Sequence, residues 1–302
     1  VDAVTTRPAL SAALGMVCVG SSVAVSTTIV DAPLFTLQAL RYGLAAVLML
    51  AIGALTGRAL PRPRGREWAW LAGVAGLGLV LFNVAVVRGV AHAEPAVIGV
   101  AVAAVPLALA IGGPLAAGRR PAPGTLAGAA LVTAGAVLVQ GGGRTDLAGV
   151  GWAVLVLACE IGFTLCALPV LARLGPWGVT LHAVGMAAVG LTALGLLVEG
   201  PGAALDGGDL LAAAHLAVVV TVVAFLLWYS AVGRLGAARA GLFTGVAPVA
   251  AAAGGVLLGG PVPAPGVWLG IGVVGLGVAV GMRAPERGAP ASRVALRGTS
   301  GP

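Results

Sequence analysis

Lysine is missing from this sequence: all 17 basic residues are arginine. A Walker A loop, whose lysine grips nucleotide phosphates, is therefore excluded. Charge of either sign is scarce, at 9% of 302 residues, where an ordinary soluble domain carries roughly a quarter. So little polar surface cannot cover a chain that is 59% hydrophobic, with mean hydropathy +1.07. A soluble fold is excluded and an integral membrane protein is indicated. Three histidines form no H-E-x-x-H, and no serine–histidine or cysteine–histidine set suits hydrolysis inside a membrane. The chain does not read as an enzyme, and nothing in it calls for a cofactor. The three cysteines, Cys18, Cys159 and Cys166, lie inside apolar segments without disulfide or zinc spacing, so they read as small buried hydrophobes. Arginine-only basicity and the Ala, Gly and Val load suggest a GC-rich bacterial genome.

What is abundant is apolar run. Crossing a hydrocarbon core of about 30 Å takes about 20 residues. Ten such runs are expected, near 9–30, 33–56, 68–90, 95–117, 124–141, 148–171, 177–199, 209–232, 237–259 and 265–282. The breaks are turn chemistry or charge, as in "RALPRPRGRE", "AHAEP", "GRRPAPG", "RLGPWG" and "GPVPAPG". The first run reads as a span rather than a signal peptide, leaving 1–8 as a short tail. The stretch 283–302, rich in Pro, Gly and Arg, is expected to be disordered.

Arginine sets the orientation. With the N-terminus in the cytoplasm, Arg7, Arg58, Arg62, Arg64, Arg66, Arg119, Arg120, Arg173, Arg234, Arg239, Arg283, Arg287, Arg293 and Arg297 fall inside, only Arg88 and Arg144 lie near the outer side, and Asp31, Glu94, Asp146, Glu199, Asp206 and Asp209 fall outside. Both termini are then cytoplasmic, in a bacterial plasma membrane. The positive balance is a topology signal, not a sign of nucleic-acid binding.

The halves echo each other. "PLALAIGGPLAAGRRPAPGTLAG" from Pro106 matches "PVAAAAGGVLLGGPVPAPGVWLG" from Pro248 without a gap, 142 residues apart (248 less 106). Five spans per repeat is an odd number, so the second repeat enters from the opposite side. The expected fold is all-α, with ten transmembrane helices as two inverted five-helix repeats over 9–141 and 148–282. Gly124-x-x-x-Gly128 and Gly266-x-x-x-Gly270 allow close helix approach. Pro106 and Pro248 fall mid-span, where each removes a backbone hydrogen bond and kinks its helix.

These features resemble the drug/metabolite transporter superfamily, EamA-like branch. The resemblance covers about 9–282 and rests on "GSS" in the first span, "LQALRYGLAA" in the second, "FNVAV" in the third, the "PLALAIGGPL" and "GRRPAPGTLAG" stretches, and "FLLWYSAVGRLGAARAGLFTGVAPVAAAAGG". It implies a secondary transporter of a small molecule.

Charged or strongly polar groups at mid-membrane cost about 2.5–3.5 kcal/mol on insertion scales and mark function by default. Glu160, in "LVLACEIGFTLC", falls near the midplane. It reads as a coupling or substrate-binding carboxylate, or as a structural glutamate in a salt bridge. Arg41 is its candidate counter-ion, an anchor for a substrate carboxylate, or a structural cation. Asn83, Ser21 and Ser22 are candidate pathway residues or packing polar groups. His182 and His215 read as hydrogen-bonded packing residues, and His92 with Glu94 as a solvated loop pair. Trp228 and Tyr229 read as interfacial aromatics on their own; the resemblance turns this "WY" toward the cavity. No metal site is expected. The expected activity is export of a small amino acid-like or amphipathic metabolite, driven by protons or by the solute's own gradient, by a monomer or homodimer in the bilayer. A flippase for a lipid-linked molecule and a non-transporting sensor or scaffold are the alternatives.

Overall fold

The computed structural model describes residues 3–26, 29, 31–257 and 263–284; the tail expected from 283 onward lies, after Ala284, outside the described residues. Eight helices run among the described residues: α1 (Ala3–Ser26), α2 (Leu34–Leu55), α3 (Glu67–Val90), α4 (Pro95–Ala116), α5 (Pro123–Gln140), α6 (Leu147–Val198), α7 (Gly207–Leu257) and α8 (Pro265–Arg283). Helices α2 to α8 are long and apolar enough to cross a membrane. α1 starts at Ala3, inside the stretch expected to be a tail. The apolar run marks only the part suited to hydrocarbon, and the helix winds on beyond it.

The starts of these helices follow local chemistry. Pro95, Pro123 and Pro265 open α4, α5 and α8, where the missing N–H has no intrahelical partner to lose. Asp146 accepts from the Gly149 N–H at the start of α6, and Asp206 and Asp209 form a reciprocal cap on α7. α2 lacks a cap of its own, because Pro33 precedes it. Glu199, from the far end of α6, supplies one, accepting from the Phe35 and Thr36 N–H groups and from the Thr36 hydroxyl at 2.7–2.9 Å.

Helices α6 and α7 have 52 and 51 residues, each about two and a half times the length that a 30 Å core needs. Each doubles back at one glycine. Gly175 (φ 66°) divides α6 into arms 147–174 and 176–198, and Gly236 (φ 75°) divides α7 into arms 207–235 and 237–257. Only glycine takes such a backbone without strain. The packing confirms the reversal. Gly149 lies against His92, Gly178 against Pro61, and Gly195 against Thr36 at the first end again. One end of the molecule therefore gathers Glu94, Asp146 and Glu199. The other gathers Arg62, Glu67 and Arg173, where the Arg173 guanidinium pairs with the Glu67 carboxylate and donates to the Arg62 carbonyl. We call these the acidic and arginine ends.

The repeat is visible in the backbone. α3 contains a π-helical stretch at Val74–Leu81 and α7 another at Leu216–Val223, again 142 residues on. α4 breaks at Ala104, two residues before Pro106, and a 3₁₀ turn at Leu242–Gly245 precedes Pro248. The two closing helices, α5 and α8, pack on each other through glycine. A Cβ on Gly135 would meet the Gly270 carbonyl at 2.7 Å, and one on Gly277 the Val132 nitrogen at 2.6 Å. Of the glycine pairs singled out in the sequence, Gly128 and Gly270 lie in this seam and Gly124 meets Ala284, while Gly266 faces open space.

One apolar core joins both repeats, with Tyr42, Met49, Leu79, Leu109, Val132, Leu191, Tyr229 and Leu242 all buried. The outside is apolar as well: Val47, Leu50, Val154, Val189, Leu211, Leu269 and Leu276 are exposed. An apolar exterior around an apolar core is the arrangement of a protein whose solvent is lipid.

Candidate functional site

Between the repeats lies a cavity of about 210 Å³. It is built at the level where α3 and the first arm of α7 change to π winding, and Gly78, Leu79 and Val220 from those stretches face it. Single π turns inside α-helices recur at functional sites because they redirect side chains and free a carbonyl. Here Thr221 uses the change: its hydroxyl donates to the Leu216 carbonyl five residues back (2.9 Å) and accepts from Arg41 Nε (2.8 Å).

The lining has the symmetry of the repeat. Ser22 pairs with Thr164, Gly78 with Val220, Phe82 with Ala224, Asn83 with Phe225, Val102 with Thr244 and Val105 with Ala247, each at the 142-residue offset. The cavity therefore sits on the axis that relates the halves. Its charges do not obey that symmetry. Glu160 and Arg41 both line it, while their mates are Cys18 and Ala183.

Glu160 and Arg41 share the cavity without forming an ion pair. Arg41 is held by Thr221 and by Gln38 Oε1 (Nη1, 3.2 Å), and its guanidinium lies over the Tyr42 ring at 4.9 Å. Glu160 makes neither a hydrogen bond nor an ion pair among the described residues; the pairs there are His92–Asp146, Arg144–Glu94 and Arg173–Glu67. The counter-ion arrangement is thus not the one adopted. Helix α2 presents Arg41 from the acidic-end side of the cavity, and the first arm of α6 presents Glu160 from mid-helix.

Asn83, Ser22 and Trp228 also line the cavity. Asn83 Nδ2 donates to the Leu79 carbonyl and lies 3.4 Å from the Tyr42 hydroxyl. Ser21 and Tyr229 are placed elsewhere. Ser21 lies beside His215 Nε2 (3.1 Å) and donates to the Cys18 carbonyl, while buried Tyr229 donates to the Phe163 carbonyl at 3.4 Å. Neighbouring residues on a helix point about 100° apart; in "SS" and "WY" one of each pair, Ser22 and Trp228, faces the cavity and the other turns away from it. His182 Nδ1 donates to the Gly178 carbonyl (2.7 Å), and its ring meets Trp68 edge-on. His92 is exposed and Glu94 half-buried, and they are partnered by Asp146 and Arg144.

Several lining residues escaped the sequence reading. Thr164 follows at once if the offset is applied to Ser22. Phe82, Phe163 and Phe225 are three of only five phenylalanines in the chain.

Comparison with known proteins agrees with the two-repeat fold. The model of the EamA-like transporter family matches residues 6–140 and again 147–282. The chain belongs to that family. The two matches fall over the two halves that echo each other in the sequence, and the family is one of transporters. The chain is also similar to an uncharacterized transporter, YetK, of Bacillus subtilis (strain 168): 28% identity over 256 residues, 80% of this chain and 76% of the relative. A solved crystal structure superposes with TM-score 0.77 at 22% identity, over 90% of this chain and 95% of the other. That likeness speaks to the fold. This EamA-like transporter thus carries, on its repeat axis, one carboxyl and one guanidinium that are not paired with each other.

Proposed function

We propose that this transporter exports a small amphipathic or amino acid-like metabolite, and that Glu160 couples the movement to protons. The observation that carries the reading is that unpaired carboxyl, facing a central cavity together with Arg41. A structural glutamate in a membrane interior would be neutralised by a fixed partner. A coupling carboxyl needs the reverse: room to take a proton in one state and release it in another, because only a difference in proton affinity between states can drive exchange. Arg41, held by Thr221 and Gln38, anchors a carboxylate or another anionic group on the solute. The cavity volume of about 210 Å³ is below the 300–1,000 Å³ typical of drug-sized ligands, which favours a small solute. In this reading the chain makes ten passes of a bacterial plasma membrane, as inverted repeats over 9–141 and 148–282, with the arginine end in the cytoplasm. The doubled-back α6 and α7 supply four of those passes.

The test compares metabolites released into the medium by a deletion strain and by strains overexpressing the wild type or Glu160→Gln. The wild type should raise at least one small solute, with a rate that changes with external pH. Glu160→Gln should fold to the same level and lose the release or its pH dependence. An unchanged rate and pH profile in Glu160→Gln would refute the coupling role.

A further inference from the structure

A second crevice of about 480 Å³ opens at the arginine end. Tyr229 and Ser230 form part of its wall, and its two charged lining residues are Arg58 and Arg234. The central cavity and this crevice share two helices. Along the first arm of α7, Trp228 lines the cavity and Tyr229, the next residue, lines the crevice. Along the first arm of α6, Thr164 lines the cavity and Leu168 the crevice. Four residues of helix are about 6 Å, so the two spaces are separated by roughly one helical turn.

That separation is aromatic. Phe163 lies 5.0 Å from Phe225 and 5.2 Å from Tyr229, centroid to centroid, and Phe225 lies 6.5 Å from Tyr229. Tyr229 has no exposed surface and is tied to the Phe163 backbone. A Cβ on Gly78 would overlap the Phe163 ring, so α3 backs the cluster directly. The inverted repeat supplies a comparison inside the same chain. The mates of Phe163, Phe225 and Tyr229 are Ser21, Asn83 and Val87, on the acidic-end side. None is aromatic.

We propose that this crevice is the arginine-end half of the translocation path, and that Phe163, Phe225 and Tyr229 are the barrier closing it from the central cavity. The proposal rests on the transport reading. Arg58, whose guanidinium lies over the Trp177 ring at 4.7 Å, and Arg234 give this mouth a positive field. It draws solutes that carry a carboxylate or another anion, the same chemistry that Arg41 meets one barrier further on.

Thiol labelling tests this without knowledge of the solute. In a background with Cys18, Cys159 and Cys166 replaced by Ala, Ser230→Cys reports the crevice and Ser22→Cys the cavity. Sealed vesicles of either orientation are treated with membrane-impermeant methanethiosulfonates, one anionic and one cationic. Ser230→Cys should react at least tenfold faster from the arginine end, with the anionic reagent favoured, and Arg58→Gln should reduce that preference. Ser22→Cys should react at least tenfold faster from the acidic end. Adding Phe163→Ala and Tyr229→Ala should raise Ser22→Cys labelling from the arginine end at least tenfold, while Tyr229→Phe, which keeps the ring, should leave it sealed. Should the double variant fail to fold, Phe225→Ala alone serves. A folded barrier variant that leaves Ser22→Cys one-sided, or a Ser230→Cys unreactive from both ends, overturns the proposal. Two-sided labelling in a chain that releases no metabolite would retain the barrier and discard the transport reading.

Discussion

Two glycines on α8, two residues apart, should respond to the same substitution with opposite sign. At Gly275 an added Cβ meets nothing within 4 Å; at Gly277 it would lie 2.6 Å from the Val132 nitrogen and 2.8 Å from the Gly128 carbonyl. Ordinary contact is near 3.5 Å, so Gly277→Ala forces α5 and α8 apart by about 0.9 Å or bends one of them. The obstacle is backbone, which has no rotamer to yield. Both substitutions gain roughly 0.5–1 kcal/mol of helix propensity. Only Gly277→Ala also incurs overpacking, about 1–3 kcal/mol. The apparent melting temperature in detergent should therefore rise by a degree or two for Gly275→Ala and fall by several degrees for Gly277→Ala, using about 2 °C per kcal/mol for a chain of this size. Equal shifts for the two variants would mean that the seam between α5 and α8 is not as tight as described.

Removing the Glu199 carboxylate with Glu199→Ala uncaps α2 at three donors and should cost about 1–2 kcal/mol, read as a fall of a few degrees in the same assay. Hydrogen bonds from the Gly149 N–H and from His92 hold the Asp146 carboxyl below the usual carboxylate range. A lowered folded value stabilises above the unfolded value, near 3.9, and the contribution is lost as pH falls through the folded value. Thermal midpoints measured from pH 6 to pH 2 should accordingly fall less steeply for Asp146→Asn than for the wild type. Pro106→Ala and Pro248→Ala should reduce solute release more than they reduce the amount of folded protein, measured by quantitative blotting; full release in both would confine the prolines to packing.

The long-range plan was legible because it depends on properties that act over twenty residues. Apolar run length and the gapless match from Pro106 to Pro248 marked out the repeats, and turn chemistry and charge marked the breaks between runs. The π stretches at Val74–Leu81 and Leu216–Val223 were not legible. One extra residue in a helical turn follows from packing against neighbouring helices, and no residue type announces it. Glu160 and Arg41 stood out because ionisable groups are rare in this chain. Phe163 and Phe225 did not, since an apolar side chain looks the same in sequence whether it faces lipid, core or cavity. The pairing of Glu160 with Arg41 was open for a related reason: depth along two helices was readable, but not their rotation. Gln38 and Thr221, which hold Arg41 instead, are ordinary polar residues until the helices are assembled.

The unequal charges on a symmetric cavity set a limit on simpler ancestors of this design. Two separate copies of one five-helix repeat, facing each other about a twofold axis, would show every side chain twice. A Glu160 copy would confront another Glu160, and an Arg41 copy another Arg41, with like charges crowded in a medium that screens them poorly. Joining the halves in one polypeptide lifts that requirement. Each half can then mutate alone, so the first supplies the cation where the second has Ala183, and the second supplies the acid where the first has Cys18. On the proposed reading, a solute carrying a positive group at one end and a negative group at the other would find a single preferred orientation there, which no dimer of identical halves could impose.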